Sequence, residues 1–326
     1  MSPSDTPSSG WQDARLHIVT GKGGTGKTTV AAAMALALAA GGQRTLLVEV
    51  EGRQGIAQLF DVPPLPYGDR KIAVSPDDGE VYALAVDAEE ALLEYLEMFY
   101  RLGRAGRMLK RLGAIDFATT IAPGVRDVLL TGKVKEATTR MERGRRAYHA
   151  VVLDAPPTGR IGRFLNVTAE VAGLTKVGPI KSQSDSVVTL LRSPMTAVHV
   201  VTVLEDMPVQ ETLDAIDDLR RLELSLGTVI VNMTRPPLLE SAKVTPATLS
   251  KGLAAAGLPT DRATVDGLVA EVRDHQARLR LEGELREELA KAQRPVLELP
   301  FLTDGVDLSG LYALADALAD QGVHGH

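Results

Sequence analysis

Nine consecutive residues, Gly21-Lys22-Gly23-Gly24-Thr25-Gly26-Lys27-Thr28-Thr29, constrain this chain more than any other feature. They fill the pattern G-x-x-x-x-G-K-[ST] of a phosphate-binding loop. In such a loop, backbone N–H groups of a glycine-rich turn converge on phosphate oxygens, and the dipole of the next helix adds positive potential. Gly21, Gly23, Gly24, Thr25, Gly26, Lys27, Thr28 and Thr29 are therefore candidate nucleotide-binding residues. Lys27 is expected to reach the β- and γ-phosphates of ATP, and the Thr28 hydroxyl to take a place on Mg²⁺. The loop requires a strand before it and a helix after it. Residues 15–20 (RLHIVT) are a short β-branched run, and residues 28–40 are rich in Ala, Leu and Met before stopping at Gly41-Gly42.

Further apolar runs at residues 44–51, 81–86, 148–154, 197–204, 227–233 and 296–300 alternate with helical stretches. This is the βαβ pattern of an α/β fold, and it predicts a doubly wound, mostly parallel sheet of six or seven strands. Ligands of such sheets sit at the carboxyl ends of the strands. Two stretches break the alternation. Residues 88–146 lack clear strands, and Leu92, Leu96, Phe99, Tyr100, Leu102, Met108, Leu109, Leu112 and Ile115 recur there at helical spacing. Residues 171–195 are similar. Together they predict a helical subdomain inserted at the ligand edge. Its apolar residues either pack against one another and the sheet, or form a Met-bearing surface for a hydrophobic client helix. Arg101, Arg104, Arg107, Lys110 and Arg111 read as a solvated helix face or as a stripe for phosphates and anionic lipid, with Gly103, Gly106 and Gly113 weakening any long helix there.

With no internal duplication visible, residues 14–326 read as one nucleotide-binding domain behind a polar, disordered leader at 1–13. That leader lacks the basic-then-apolar order of a signal peptide. The longest strongly apolar run, 30–40, is far short of the roughly 20 residues that cross a bilayer. A cytoplasmic location is expected, either free or peripheral to a membrane. The formal charge of −6 argues against a general nucleic-acid binder. The chain has no cysteine, which excludes disulfides, thiolate zinc sites, iron–sulfur ligation and cysteine nucleophiles.

Asp154-Ala155-Pro156-Pro157-Thr158-Gly159-Arg160 follows a buried-looking strand, so Asp154 emerges at the ligand edge. A carboxylate there suits coordination of Mg²⁺ through water, opposite Thr28. Pro-Pro-Thr-Gly makes a constrained turn from which the Gly159 amide can approach a γ-phosphate, a natural nucleotide switch.

GKGGTGKTT, VYALAVDAEEALLEY, IAPGVRDVLL, LDAPPTGRIGRFL, VIVNM and LELPFL together resemble the ArsA-like ATPases, the group of arsenite-pump ATPases and tail-anchored-protein targeting ATPases. The resemblance runs from about residue 15 to 320. It implies a dimeric ATPase with a deviant phosphate loop, in which Lys22 acts across the interface on the partner's nucleotide. It further implies that Asn232 recognises adenine and that Pro300-Phe301 packs on the base. It also implies a hydrophobic or membrane-protein client. Three departures stand out. Glu51 occupies the position of an aspartate that orients the attacking water, Arg160 replaces a histidine, and the cysteines that bind interfacial zinc or arsenite are absent. No zinc and no arsenite site are therefore expected. The leading expectation is a homodimeric, Mg²⁺-dependent ATPase with Lys22, Lys27 and Glu51 as its catalytic residues. The alternatives are a weakly active subunit paired with a paralogous ATPase, and a partitioning-type switch acting on DNA or membrane.

Overall fold

The computed structural model describes residues 11, 13–100, 123–166, 179–240 and 242–325. Eight strands form the main sheet: β1 (Leu16–Gly21), β2 (Arg44–Glu49), β3 (Arg70–Ser75), β4 (Gly79–Ala85), β7 (Ala150–Asp154), β8 (Thr196–Thr202), β9 (Leu226–Thr234) and β10 (Val296–Pro300). Their order is β10-β9-β8-β1-β7-β2-β4-β3. Every neighbouring pair is parallel except β3 with β4. β1 therefore sits centrally between β7 and β8, and the carboxyl ends of seven parallel strands share one edge.

The strands alternate their side chains between two cores. Leu16, Ile18, Leu46, Val48, Val151, Leu153, Val198 and Val200 point to one face. Val19, Leu47, Ala150, Val152, Ala197, Val201 and Ile230 point to the other. Strands buried on both faces read as continuous apolar runs, which is why these were visible in sequence. On the second face lie α1 (Lys27–Ala39), α2 (Gly55–Leu59) and α10 (Leu308–Asp320). On the first lie α4 (Pro123–Thr139), α5 (Thr158–Leu165), α6 (Pro179–Leu191) and α7 (Asp206–Arg221), joined by the first turn of α3 (Ala88–Tyr100) and the last turns of α9 (Arg262–Ala290). A further described helix, α8 (Pro246–Ala255), buries none of its residues. The result is a three-layer α/β/α fold.

α1 is apolar all round and every residue from Val30 to Ala39 is buried. A helix without a polar face has nowhere to go but between layers. It leaves the phosphate loop at Gly26 and ends before Gly41 and Gly42, both in the left-handed region, as the glycine terminator predicted.

Two expectations need correction. The main sheet has eight strands rather than six or seven. β3 is the antiparallel edge strand, half exposed along most of its length, so it carries no long apolar run. The stretch 88–146 also contains a hairpin, β5 (Met141–Glu142) and β6 (Arg145–Arg146). Its two-residue turn, Arg143-Gly144, has positive φ at both positions, as a right-twisted hairpin favours. In the helical regions, Val128, Leu129 and Val134 of α4 and Val187, Leu190 and Leu191 of α6 are buried in the main core, which is the packing reading. The basic series 101–111 and Leu102, Met108, Leu109, Leu112 and Ile115 lie outside the described residues, as do positions 1–10 and 12 of the expected leader 1–13 and the side chains of Leu96, Phe99 and Tyr100. Trp11, within that leader, is not loose but buried in the second core. No described helix is long and apolar enough to cross a membrane.

Candidate functional site

Gly21 ends β1, and a side chain there would collide with the Val201 carbonyl of β8. Gly26 has φ +82°, and a Cβ on it would strike the Asn232 side chain. Both positions therefore require glycine, one for space and one for space and backbone conformation together. Between them the loop closes on itself: the Thr25 hydroxyl donates to the Lys22 carbonyl at 2.9 Å, and Lys27 Nζ donates to the same oxygen at 3.4 Å. Gly23 and Gly24 have open space around them. Thr29 follows Thr28 in the first turn of α1.

Asp154, at the end of β7, accepts a hydrogen bond from Thr28 Oγ1 at 2.7 Å. The two strand ends are locked further by Ala155 N–H on the Val19 carbonyl (3.0 Å) and Thr20 Oγ1 on the Pro156 carbonyl (2.7 Å). Desolvation pushes the Asp154 carboxyl up to about 6, aided by Glu49 and Glu51 and opposed by the Thr28 bond and Lys27. Burial likewise lowers Lys27, against the pull of Asp154 and Glu51. A cation held beside this carboxylate and hydroxyl would relieve the first penalty, so the donor set fits Mg²⁺.

Past Pro157 the chain enters α5 directly, so Gly159 lies in a first helical turn rather than in an open turn. Nothing stands within 4 Å of the place its Cβ would occupy, and first-turn amides have no helical acceptor. The next residue, Arg160, places Nη1 3.3 Å from Glu51 Oε1, while Arg53 Nη2 lies 3.7 Å from Glu51 Oε2. Glu51, Arg53, Arg126 and Arg160 line a pocket of about 190 Å³ beside the loop.

On the opposite flank, Asn232 near the end of β9 is buried, and its Nδ2 donates to the Thr25 carbonyl at 2.9 Å. It braces the phosphate loop from behind. Phe301, directly after Pro300, donates its amide to the Thr234 carbonyl, and its ring lies 4.6 Å beneath the Arg235 guanidinium. The loop, Asp154, Gly159, Glu51, Asn232 and Pro300-Phe301 therefore share the carboxyl edge of the sheet. Among the described residues, no group of three or more His, Asp or Glu is placed to hold a metal ion.

Sequence reasoning missed three residues here. Glu49 is buried at the end of β2, where its carboxylate accepts the amides of Gln54 (2.5 Å) and Ile56 (3.2 Å) and so shapes the segment carrying Glu51. A charged residue closing an otherwise apolar strand was its signal. Arg235 and Glu211 gave none. Glu211 Oε1 lies 2.7 Å from Lys22 Nζ, an ion pair within one chain.

Comparison with known proteins agrees with this geometry. The family model described as Anion-transporting ATPase (ArsA) matches residues 14–195. ATPase BagA of Mycobacterium tuberculosis and the putative ATPase Mb3704 of Mycobacterium bovis are each 55% identical over 318 residues, 95% of this chain and 94% of theirs. ATPase ARSA1 of Chlamydomonas reinhardtii is 26% identical over 207 residues, 56% of this chain and 26% of its own. The chain belongs to the ArsA family of ATPases.

Proposed function

We propose that this chain binds ATP with Mg²⁺ and hydrolyses it as a dimer, coupling nucleotide-driven closure to a protein partner or client in the cytoplasm. The observation that carries this reading is the Thr28–Asp154 contact at 2.7 Å across the mouth of a glycine loop that tolerates no side chain at Gly21 or Gly26. Mg²⁺, when bound, would neutralise phosphate charge beside that pair. The chain's own residues supply positioning and electrostatics. Loop amides and Lys27 hold phosphate, the Gly159 amide meets the terminal phosphoryl group, and Glu51 orients water. Lys22 leaves Glu211 and reaches the nucleotide of the opposite subunit. Asn232 keeps the loop in place on the side where Phe301 and Arg235 offer a stacked platform to the base.

A second reading rests on a different observation. Glu51 is flanked by two arginines, Arg160 and Arg53, which favour a held carboxylate over a free base. On this reading the chain binds ATP but turns it over slowly, as one subunit beside a paralogous ATPase. A partitioning-type switch on DNA or membrane has no specific observation in its favour.

The test is Mg²⁺-ATP hydrolysis by the purified chain over a wide range of protein concentration. Specific activity that rises with concentration and disappears in Lys22→Ala supports a self-sufficient homodimer. A flat, near-zero rate despite tight ATP binding sinks that reading and moves the search to a mixed complex.

A further inference from the structure

The edge of the sheet opposite the phosphate loop carries a second concavity. At the amino ends of β1, β2 and β7, capped by the β5–β6 hairpin, a pocket of about 500 Å³ is lined by Arg15, Arg44, Arg145, Arg146, Tyr148 and His149, among others. We propose that this pocket binds a soluble phosphorylated small molecule carrying two or more negative charges. The proposal stands apart from ATP hydrolysis, since none of these residues belongs to the nucleotide edge.

Charge is the first argument. Among the described residues, four arginines line the pocket and no carboxylate does. Among the described residues, Arg44 alone of the four has acidic partners, Glu80 at 3.1 Å and Glu142 at 3.6 Å. Glu142 also stands opposite Arg145 in the hairpin ladder, yet its carboxylate is turned to Arg44. Among the described residues, Arg15, Arg145 and Arg146 have no carboxylate partner at all. In a chain of net charge −6, this is a local reversal of field.

Donor geometry is the second. Arg15 Nη1 donates to the His149 carbonyl and Arg146 Nη1 to the Thr138 carbonyl, each at 3.3 Å. Each guanidinium carries five N–H donors, so most of each fork remains available for paired phosphate oxygens. Arg15 and Arg146 also repel each other: after desolvation, Arg146 is the cause that lowers Arg15. An anion between them would remove that repulsion. Arg44, in turn, is fixed over the Tyr82 ring at 4.7 Å, which holds its orientation.

Size and shape are the third. The volume falls within the range of small-molecule sites, roughly 300–1,000 Å³. A bilayer-binding face would need an apolar band, whereas Met141 is the one large aliphatic side chain at this rim.

The test is isothermal titration of the full chain with inorganic pyrophosphate in the presence of saturating Mg²⁺-ADP, which occupies the phosphate loop. One saturable site per chain is expected, weakened about tenfold or more in R145Q/R146Q and in a separate R15Q variant. Both sets of side chains lie outside the core, and circular dichroism checks their folding. Pyrophosphate binding that persists in Lys27→Ala supports the proposal by excluding the loop. It is overturned by absence of saturable heat, by binding indifferent to both arginine variants, or by binding to phosphatidylglycerol vesicles without any response to pyrophosphate.

Discussion

Lys22 Nζ stands 2.7 Å from Glu211 Oε1, so the extra lysine of the phosphate loop is held by α7 of its own chain. The side chains are 31% and 37% exposed, and a pair that wet is worth about 0.2–1 kcal/mol. It can bias the lysine without trapping it. Glu211→Gln should therefore release Lys22 and raise specific ATPase activity by up to about fivefold at low protein concentration. Unchanged or reduced activity in that variant would show that the pair does not compete with catalysis.

Asp154 gives a pH dependence with a definite sign. Its folded-state pKa rises from 3.8 to about 6, so its contribution to stability is fully present below 3.8 and lost as pH rises through about 6. The loss is about 3 kcal/mol. Asp154→Asn removes the buried charge, and the ligand-free variant should be more resistant to urea than the parent above pH 6, with the difference gone below pH 4. Mg²⁺-dependent nucleotide affinity of the parent should fall as pH drops below about 6, because the cation needs the ionised carboxylate.

The two buried histidines act in the opposite direction. His17 Nδ1 and His199 Nε2 are 3.1 Å apart with their ring planes within 15° of parallel, and the Thr228 amide donates to His199 Nδ1. That amide makes His199 Nδ1 an acceptor, so Nε2 carries the proton given to His17. Burial lowers His17 to about 4 and His199 well below its ordinary value. Their stabilisation is present above 6.5 and lost as pH falls toward 4, by about 3 kcal/mol for His17. This window overlaps that of Asp154 with opposite slope, and two histidines against one carboxyl leave the ligand-free parent losing stability as pH falls toward 4. His17→Phe should lose less stability than the parent toward pH 4, with His199 still titrating against Asp154, while losing about 1–3 kcal/mol at neutral pH from the orphaned His199 N–H. Trp11, edge-on to His199, offers a fluorescence readout.

Glu51 is the residue on which the two proposed readings divide. If it orients water, Glu51→Gln should lower kcat by about a hundredfold or more while leaving KM nearly unchanged. Arg160→Ala, which removes the partner at 3.3 Å, should lower kcat far less. Equal losses in both variants would make the ion pair structural and favour the slow-turnover reading.

The loop, the helix behind it, the central strands and Asp154 were legible because each is written in contiguous residues. Glycine spacing, unbroken apolar runs and a strand ending in Asp need no distant information. The rest depends on partners remote in sequence. Glu211 becomes meaningful only once α7 is folded against the loop, and Arg235 only once Phe301 arrives beneath it. β3 was hidden because an edge strand with one face open to water carries no continuous apolar signal. Asn232 was read as a base contact, and its folded position adds a brace on the Thr25 carbonyl.

The burial of α1 on every side has a mechanical consequence. Ten consecutive residues, Val30 to Ala39, are wedged between the sheet and α10, and interiors packed at such density do not deform continuously. The cradle is thus a stator. On the proposed function, movement driven by the nucleotide would be taken up across the site, where α5 begins with an unobstructed glycine at 159 and a largely exposed arginine at 160. On that function, the short helix after Asp154 would be the rotor, and the helices of its layer packed against it are what it would turn.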